Sequence, residues 1–121
     1  MKFHESKEDY LETILILKNQ KDKVRPIDVA NYLNYSRPSI SRALKLLKDE
    51  NLITIDNNHN INFTNDGYKL AQSVYERHTT IRQFLEYLGV TSEIAEQDAC
   101  KIEHIISNDT FDKIKDFLNK K

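Results

Sequence analysis

RPSISRALKLLKDENLI, residues 37–53, contains a helix and the change of period that ends it. Ile40, Ala43, Leu44 and Leu47 recur at i, i+3, i+4 and i+7, the spacing of one helix face. Pro38 suits a first helical turn, where its missing N–H has no partner to lose. At about 100° per residue, the opposite face carries Pro38, Arg42, Lys45 and Asp49. From Ile53 the period drops to two. Ile53 and Ile55 alternate with Thr54 and Asp56, Asn57-Asn58-His59-Asn60 is turn-like, and Ile61 and Phe63 alternate again. That pattern predicts a short β-hairpin.

Upstream, Ser6 followed three residues later by Asp9 has the form of a helix N-cap. Tyr10, Leu11, Ile14, Leu15 and Leu17 continue at helical spacing, so a first helix is expected from about Lys7 to Asn19. Pro26 opens a short second helix with Ile27, Ala30 and Leu33, and Asn34-Tyr35-Ser36 breaks the chain before a third, near Arg37. Downstream, Thr64 caps a long helix from about Asn65 to Leu88, which Gly89 ends. Its inner stripe reads Ala71, Val74, Tyr75, His78, Ile81, Leu85 and Leu88. A fifth helix follows Thr91 or Ser92 and runs to about Ile106, and a sixth carries Phe111, Ile114, Phe117 and Leu118. The expected fold is mainly α: an N-terminal winged helix-turn-helix with a small β-hairpin wing over residues 1–64, then a helical domain over 65–121.

Composition agrees with this class. Two Gly and two Pro in 121 residues are too few for the turns of a sheet protein, and too few for glycine-rich phosphate loops. No apolar run is long enough to cross a membrane. The opening MKFHESKEDY has no apolar core of a secretory signal, and a single cysteine excludes an internal disulfide framework. A cytoplasmic protein is expected. Net charge is −1, but residues 18–48 hold eight Lys and Arg against two Asp, a net +6, which leaves −7 for the rest. Such asymmetry favours nucleic acid at one end over ordinary surface variation.

In a helix-turn-helix the start of the second helix meets base edges in the major groove. Those residues are Ser36, Arg37, Pro38, Ser39, Ser41 and Arg42, with Lys45 further along. Arg42 has the fork that reads guanine, and Ser36 and Ser39 suit phosphates. The hairpin tip would lie along the backbone or minor groove. Winged helices also bind proteins; the basic outer face favours double-stranded DNA.

A second constellation is Cys100, Glu103 and His104, at i, i+3 and i+4 on the fifth helix and therefore on one side. Thiolate, carboxylate and imidazole within one turn are metal-ligand chemistry. A solvated Glu–His pair beside a core cysteine is the plainer alternative. His78 lies on an apolar stripe, where a histidine is commonly a satisfied core residue. Asp9 and Glu12, i and i+3 on the first helix, also suit its dipole. Three helices nevertheless each offer donors, and buried together these donors need a cation between them. Leu85, Leu88, Phe111 and Phe117 form an apolar stripe too large for thin lobes to cover, so a symmetric homodimer through residues 65–121 is expected.

EDYLETI, RPSISRALKLLKDENLI, FTNDGYKLA, YERH and DACKIEH, in this order, resemble the diphtheria toxin repressor / manganese transport regulator (DtxR/MntR) family along essentially the whole chain. The resemblance implies a homodimeric repressor that binds a divalent metal, then an operator, and controls metal homeostasis genes. It implies metal-site positions at Asp9, Glu12, His78, Cys100, Glu103 and His104. Asp9 and Glu12 are similar to the manganese-sensing branch, and Cys100 to the iron-sensing branch. Arg82 and Glu96 stand where the iron branch has an ancillary acid and a histidine, so a second site of that kind is not expected. Nor is the SH3-like third domain of longer members. The implied cofactor is Fe²⁺ or Mn²⁺, with Zn²⁺ or Co²⁺ able to bind in vitro. Two readings compete: a metal-independent winged-helix regulator sensing a small molecule, and an enzyme using Cys100 as nucleophile with His104 as base. The second lacks an evident oxyanion site, and no enzymatic activity is expected.

Overall fold

The computed structural model describes residues 7–120. Six helices and one hairpin follow in the order α1 (Lys7–Gln20), α2 (Pro26–Leu33), α3 (Arg37–Asp49), β1 (Ile53–Ile55), β2 (Ile61–Phe63), α4 (Asn65–Tyr87), α5 (Ser92–Ile102) and α6 (Asn108–Lys120). Ser6, the expected cap of α1, lies outside the described residues. The chain divides between Gln72 and Ser73, within α4, into two compact units.

The first unit is the winged helix. At the start of α2 the Arg25 N–H donates to the Asp28 carboxylate at 2.9 Å, and Pro26 takes the first helical position. Asn34 ends α2 in the left-handed region (φ 59°), which Asn tolerates better than most residues. Its N–H and that of Tyr35 both reach the Ala30 carbonyl, closing the turn. Ser36 then caps α3, accepting from the Ser39 N–H. Ile40, Leu44 and Leu47 face inward, as the spacing predicts, against Leu11, Ile14, Val24, Val29, Ile53 and Ile61. Leu11, Ile14, Val24, Val29, Leu47 and Ile61 expose no surface.

The hairpin is antiparallel, with Ile53 opposite Phe63 and Ile55 opposite Ile61. Its tip is organised by a residue that the sequence reading leaves outside the turn. The Asp56 carboxylate accepts the N–H groups of Asn58 and Asn60, each at 2.9 Å. These bonds, that from Asn60 foremost, hold the Asp56 carboxyl below the ordinary carboxylate range. Beyond β2, the Thr64 hydroxyl donates to the Asn51 carbonyl and accepts from the Gly67 N–H, fixing where α4 begins. Gly67 is required by contact: a Cβ there would sit 1.8 Å from the Leu52 carbonyl oxygen.

The second unit comprises the rest of α4 with α5 and α6. Gly89 (φ 104°) ends α4: its N–H reaches the Glu86 carbonyl and the Val90 N–H reaches that of Leu85. Ile81, Ala99 and Phe111 are buried, with Leu85, Ile102 and Ile106 packed against them. Three expectations need correction here. Phe111 is not part of an exposed stripe; it is 7% exposed, and the Arg77 guanidinium lies over its ring. Tyr75 and Leu88 are exposed, because Tyr75 falls at the edge of the buried face and Leu88 lies past the last helical residue. Finally, α5 stops at Ile102 instead of Ile106. The His104 and Ile105 N–H groups turn back to carbonyls three residues earlier, tightening the chain before Ser107 caps α6.

Candidate metal centre and nucleic-acid interface

In the first unit, Ser36, Arg37, Pro38, Ser41, Arg42 and Lys45 are exposed and Ser39 is half-buried. The Ser36 hydroxyl pairs with Ser39 Oγ at 3.0 Å, and Arg42 Nη2 donates to Ser39 Oγ at 3.4 Å. The capping hydroxyls therefore hold the Arg42 guanidinium at the beginning of α3. Lys45 lies 3.5 Å from Asp49, an exposed i, i+4 pair of little energetic weight. Beside these residues, Arg25, Arg37 and His59 line a cavity of about 320 Å³ together with Pro26, Ile27 and Ser41. Arg25 and His59 are not among the interface residues read from the sequence. Only the fold brings the start of α2 and the wing tip to the start of α3, although both residues are basic or polar beside turn signals.

Asp9 and Glu12 also belong to the first unit. They sit one turn apart on α1, 5% and 7% exposed. Aspartate and glutamate are rarely this buried unless paired.

In the second unit, Glu103 is the most deeply held carboxylate, 3% exposed. Its Oε1 is 2.6 Å from His78 Nδ1, and its Oε2 is 3.7 Å from His104 Nε2. α4 places His78, 7% exposed, against a carboxylate of the turn after α5. Cys100 is half-buried on α5, one turn earlier. The three residues are not all on one regular helix. Glu103 is the C-cap of α5 and His104 follows it, so the early end of α5 sets their side chains. A carboxylate flanked by two imidazoles, with a thiol nearby, is a donor set that fits a divalent transition metal.

The sequence reading places Arg82 and Glu96 at the iron branch's ancillary positions, but it does not foresee their contact with this cluster. His78 Nε2 is 2.8 Å from Glu96 Oε2, and Arg82 Nε lies 3.6 Å from Glu96 Oε1. Arg82 in turn pairs with Glu86 at 3.3 Å. The available signal was spacing: Glu96, Cys100 and Glu103 stand at i, i+4 and i+7, and His78 and Arg82 at i and i+4.

Residues 2–59 match the family model described as the iron dependent repressor N-terminal DNA binding domain. Residues 64–121 match that of the iron dependent repressor metal binding and dimerisation domain. The transcriptional regulator MntR of Escherichia coli O6:H1 is 37% identical over 113 residues, covering 93% of this chain and 73% of that protein. An HTH-type transcriptional regulator of Methanocaldococcus jannaschii is 30% identical over 96% of this chain and 94% of its own length. Among solved structures, the manganese regulator SloR superposes with a TM-score of 0.83 at 31% identity, over 94% of this chain and 54% of SloR. The metal-dependent transcriptional regulator MtsR gives 0.88 at 28% identity, over 96% and 54%. The chain thus spans about half the length of those two solved proteins. Among the described residues, no helix is long and apolar enough to cross a membrane. With both halves matched in order and a relative this similar along nearly its full length, the chain belongs to the DtxR/MntR family of metal-dependent, DNA-binding transcriptional repressors.

Proposed function

We propose that this protein is a cytoplasmic homodimer that represses metal homeostasis genes when Fe²⁺ or Mn²⁺ is available, and that it regulates without catalysing a reaction. Residues 1–64 form the DNA-binding domain and residues 65–121 the metal-binding and dimerisation domain. The observation that carries this reading is the buried His78–Glu103 pair with half-buried His104 beside it, in the half whose family model is described as metal binding.

The ligands are Asp9, Glu12, His78, Cys100, Glu103 and His104. When bound, the ion supplies the positive charge that lets these buried acids share one site. Asp9 and Glu12 come from the domain that carries the recognition helix and the other four from the dimerisation domain. Occupancy is thereby linked to the conformation in which two recognition helices match operator half-sites, as differential binding to two states requires. On the DNA, the start of α3 (Ser36, Arg37, Pro38, Ser39, Ser41 and Arg42, with Lys45 further along) enters the major groove, where Arg42 reads a base edge and Ser36 and Ser39 hold phosphates. The cleft lined by Arg25, Arg37 and His59 supports this reading, because phosphates seek such positive ground.

The test is operator affinity measured anaerobically with each of Fe²⁺, Mn²⁺, Co²⁺ and Zn²⁺, and again with chelator. Affinity should rise with metal and collapse with chelator. Equal affinity in both would replace this reading with a metal-independent regulator. Cys100 sets preference: a soft donor suits Fe²⁺, Co²⁺ and Zn²⁺ better than Mn²⁺. Cys100→Glu should therefore move activation toward Mn²⁺. An unchanged ranking would remove Cys100 from the ligand set and leave Asp9, Glu12, His78, Glu103 and His104.

A further inference from the structure

His78 is held from both ends of its ring. Nδ1 faces Glu103 at 2.6 Å, on the side where His104 also lies, while Nε2 faces Glu96 at 2.8 Å. The two carboxylates differ in setting. The Glu103 side chain is 1% exposed and that of Glu96 is 58% exposed. Glu96 is moreover fastened from its other oxygen by Arg82, which Glu86 holds from the next turn of α4.

From this we infer that Glu96 and Arg82 are positioning residues for the metal centre: Glu96 accepts the His78 Nε2–H and thereby presents Nδ1 as the ligating nitrogen, and Arg82 keeps Glu96 in place. The inference rests on the proposed ligand set and adds to it the groups that orient one ligand. Both ring nitrogens face carboxylates, which only accept; an ion on the inner side takes the place of the hydrogen at Nδ1, and the one remaining ring hydrogen is then on Nε2, donated to Glu96. A histidine ligand must offer a bare nitrogen to the ion, and the hydrogen bond at its other nitrogen decides which one. The ring also lies on α4 while its orienting carboxylate lies on α5, so the contact fixes the ring's rotation as well as its tautomer. Among the described residues, the ion pairs of Arg82 are with Glu96 and Glu86. Its effect on metal affinity must therefore pass through Glu96 and be smaller.

The experiment measures Mn²⁺ affinity of the full chain from the electron paramagnetic resonance signal of free Mn²⁺, for wild type, Glu96→Ala, Glu96→Gln, Arg82→Ala and Glu103→Ala. Zn²⁺-loaded samples report through ¹⁵N shifts which His78 nitrogen is metal-bound. Removing an orienting partner of a metal-bound histidine costs about 10–100-fold in affinity; Glu96 is well exposed, so Glu96→Ala should weaken Mn²⁺ about tenfold. Glu96→Gln keeps an acceptor oxygen and should recover most of that loss, which a role in packing or net charge alone does not explain. Arg82→Ala should lose less than Glu96→Ala, and the double variant no more than Glu96→Ala. Wild type and Glu96→Gln should show metal on Nδ1 and hydrogen on Nε2. Metal-free melting temperatures identify any variant that fails to fold, in which case Glu96→Gln and the wild-type nitrogen shifts still decide. Unchanged affinity in Glu96→Ala, tighter binding in it, or metal on Nε2 in wild type overturns the inference. Unchanged affinity in Glu103→Ala would instead overturn the ligand set beneath it.

Discussion

The two units bury different things. In the first, fifteen buried hydrophobic residues among those described, from α1, α2, α3, the hairpin, α4 and the connecting segments at Val24 and Leu52, form one cluster. The residues assigned to DNA lie on its surface. In the second, the hydrophobic cluster has three buried members, Ile81, Ala99 and Phe111. Its interior also holds His78 and Glu103, while Tyr87, Leu88, Ile94, Ile105 and Phe117 remain 45–73% exposed. A unit that places ionisable side chains inside and apolar groups outside draws less stability from its own core. Its exposed apolar surface is the kind that a second subunit covers, in keeping with its match to a dimerisation domain. The first unit thus holds its shape from its own core, whereas the second leaves apolar surface for a partner.

The largest effect should separate the units by concentration dependence. Leu11 exposes no surface, and Leu11→Ala should cost about 2–5 kcal/mol in denaturant unfolding through transfer and cavity terms. That loss should be the same at any protein concentration. Phe117 is 45% exposed and meets the rings of Phe84 and Tyr87 at 5.8 and 5.5 Å. Phe117→Ala should act mainly on self-association, with a loss that grows on dilution, as linkage to a dimer demands. Sedimentation at graded concentration measures it. A wild-type distribution for Phe117→Ala would remove the contrast and return that aromatic group to the role of an ordinary core.

Next in size is the reading of DNA by the first unit. Arg42→Ala should lose roughly 1–3 kcal/mol of operator affinity and relax selectivity at one base position. Lys45→Ala should weaken all operator variants alike and flatten the salt dependence by about one ion. Equal losses across every variant for Arg42→Ala would make it a phosphate contact like Lys45.

How well each unit could be read from sequence follows from the same contrast. In the first, local chemistry and burial agree. Pro26 and Pro38 stand at helix starts, Ser36 and Thr64 cap, and the change of period at Ile53 is the hairpin. In the second, the signals conflict. Ile105 and Ile106 continue the apolar pattern of α5 with no Gly or Pro to stop it, so its end at Ile102 had no local marker. Phe111 and Phe117 are both aromatic on one helix at i and i+6, yet one is buried and the other exposed. The ligand candidates were legible because donors cluster at helical spacing. The contact of Glu96 with His78 was not, because the two are 18 residues apart on different helices and the Glu96 side chain is largely exposed.

The smallest effect lies at the wing tip and depends on pH. Asp56 shapes the turn by accepting two backbone N–H groups and the Asn60 side-chain amide, and these bonds, led by that from the Asn60 backbone, depress its carboxyl pKa. A depressed carboxyl stabilises the fold while it is ionised. Its contribution is complete above the unfolded value of about 3.9 and is lost as pH falls through the lower folded value. Asp56→Ala removes the acceptor at every pH. The gap in denaturant midpoint between wild type and Asp56→Ala should therefore be constant from neutral pH down to about pH 5 and close in stronger acid. Asp56→Asn keeps one acceptor oxygen without titrating, so it should sit between the two at neutral pH with a flatter acid limb. His59 holds a left-handed φ of 66° in the same turn, so loosening Asp56 should also raise amide exchange from Asn58 to Asn60 without touching the core. A gap that persists unchanged into strong acid would mean that the aspartate acts through its shape alone. The wing tip would then be as insensitive to charge as the apolar core beneath it.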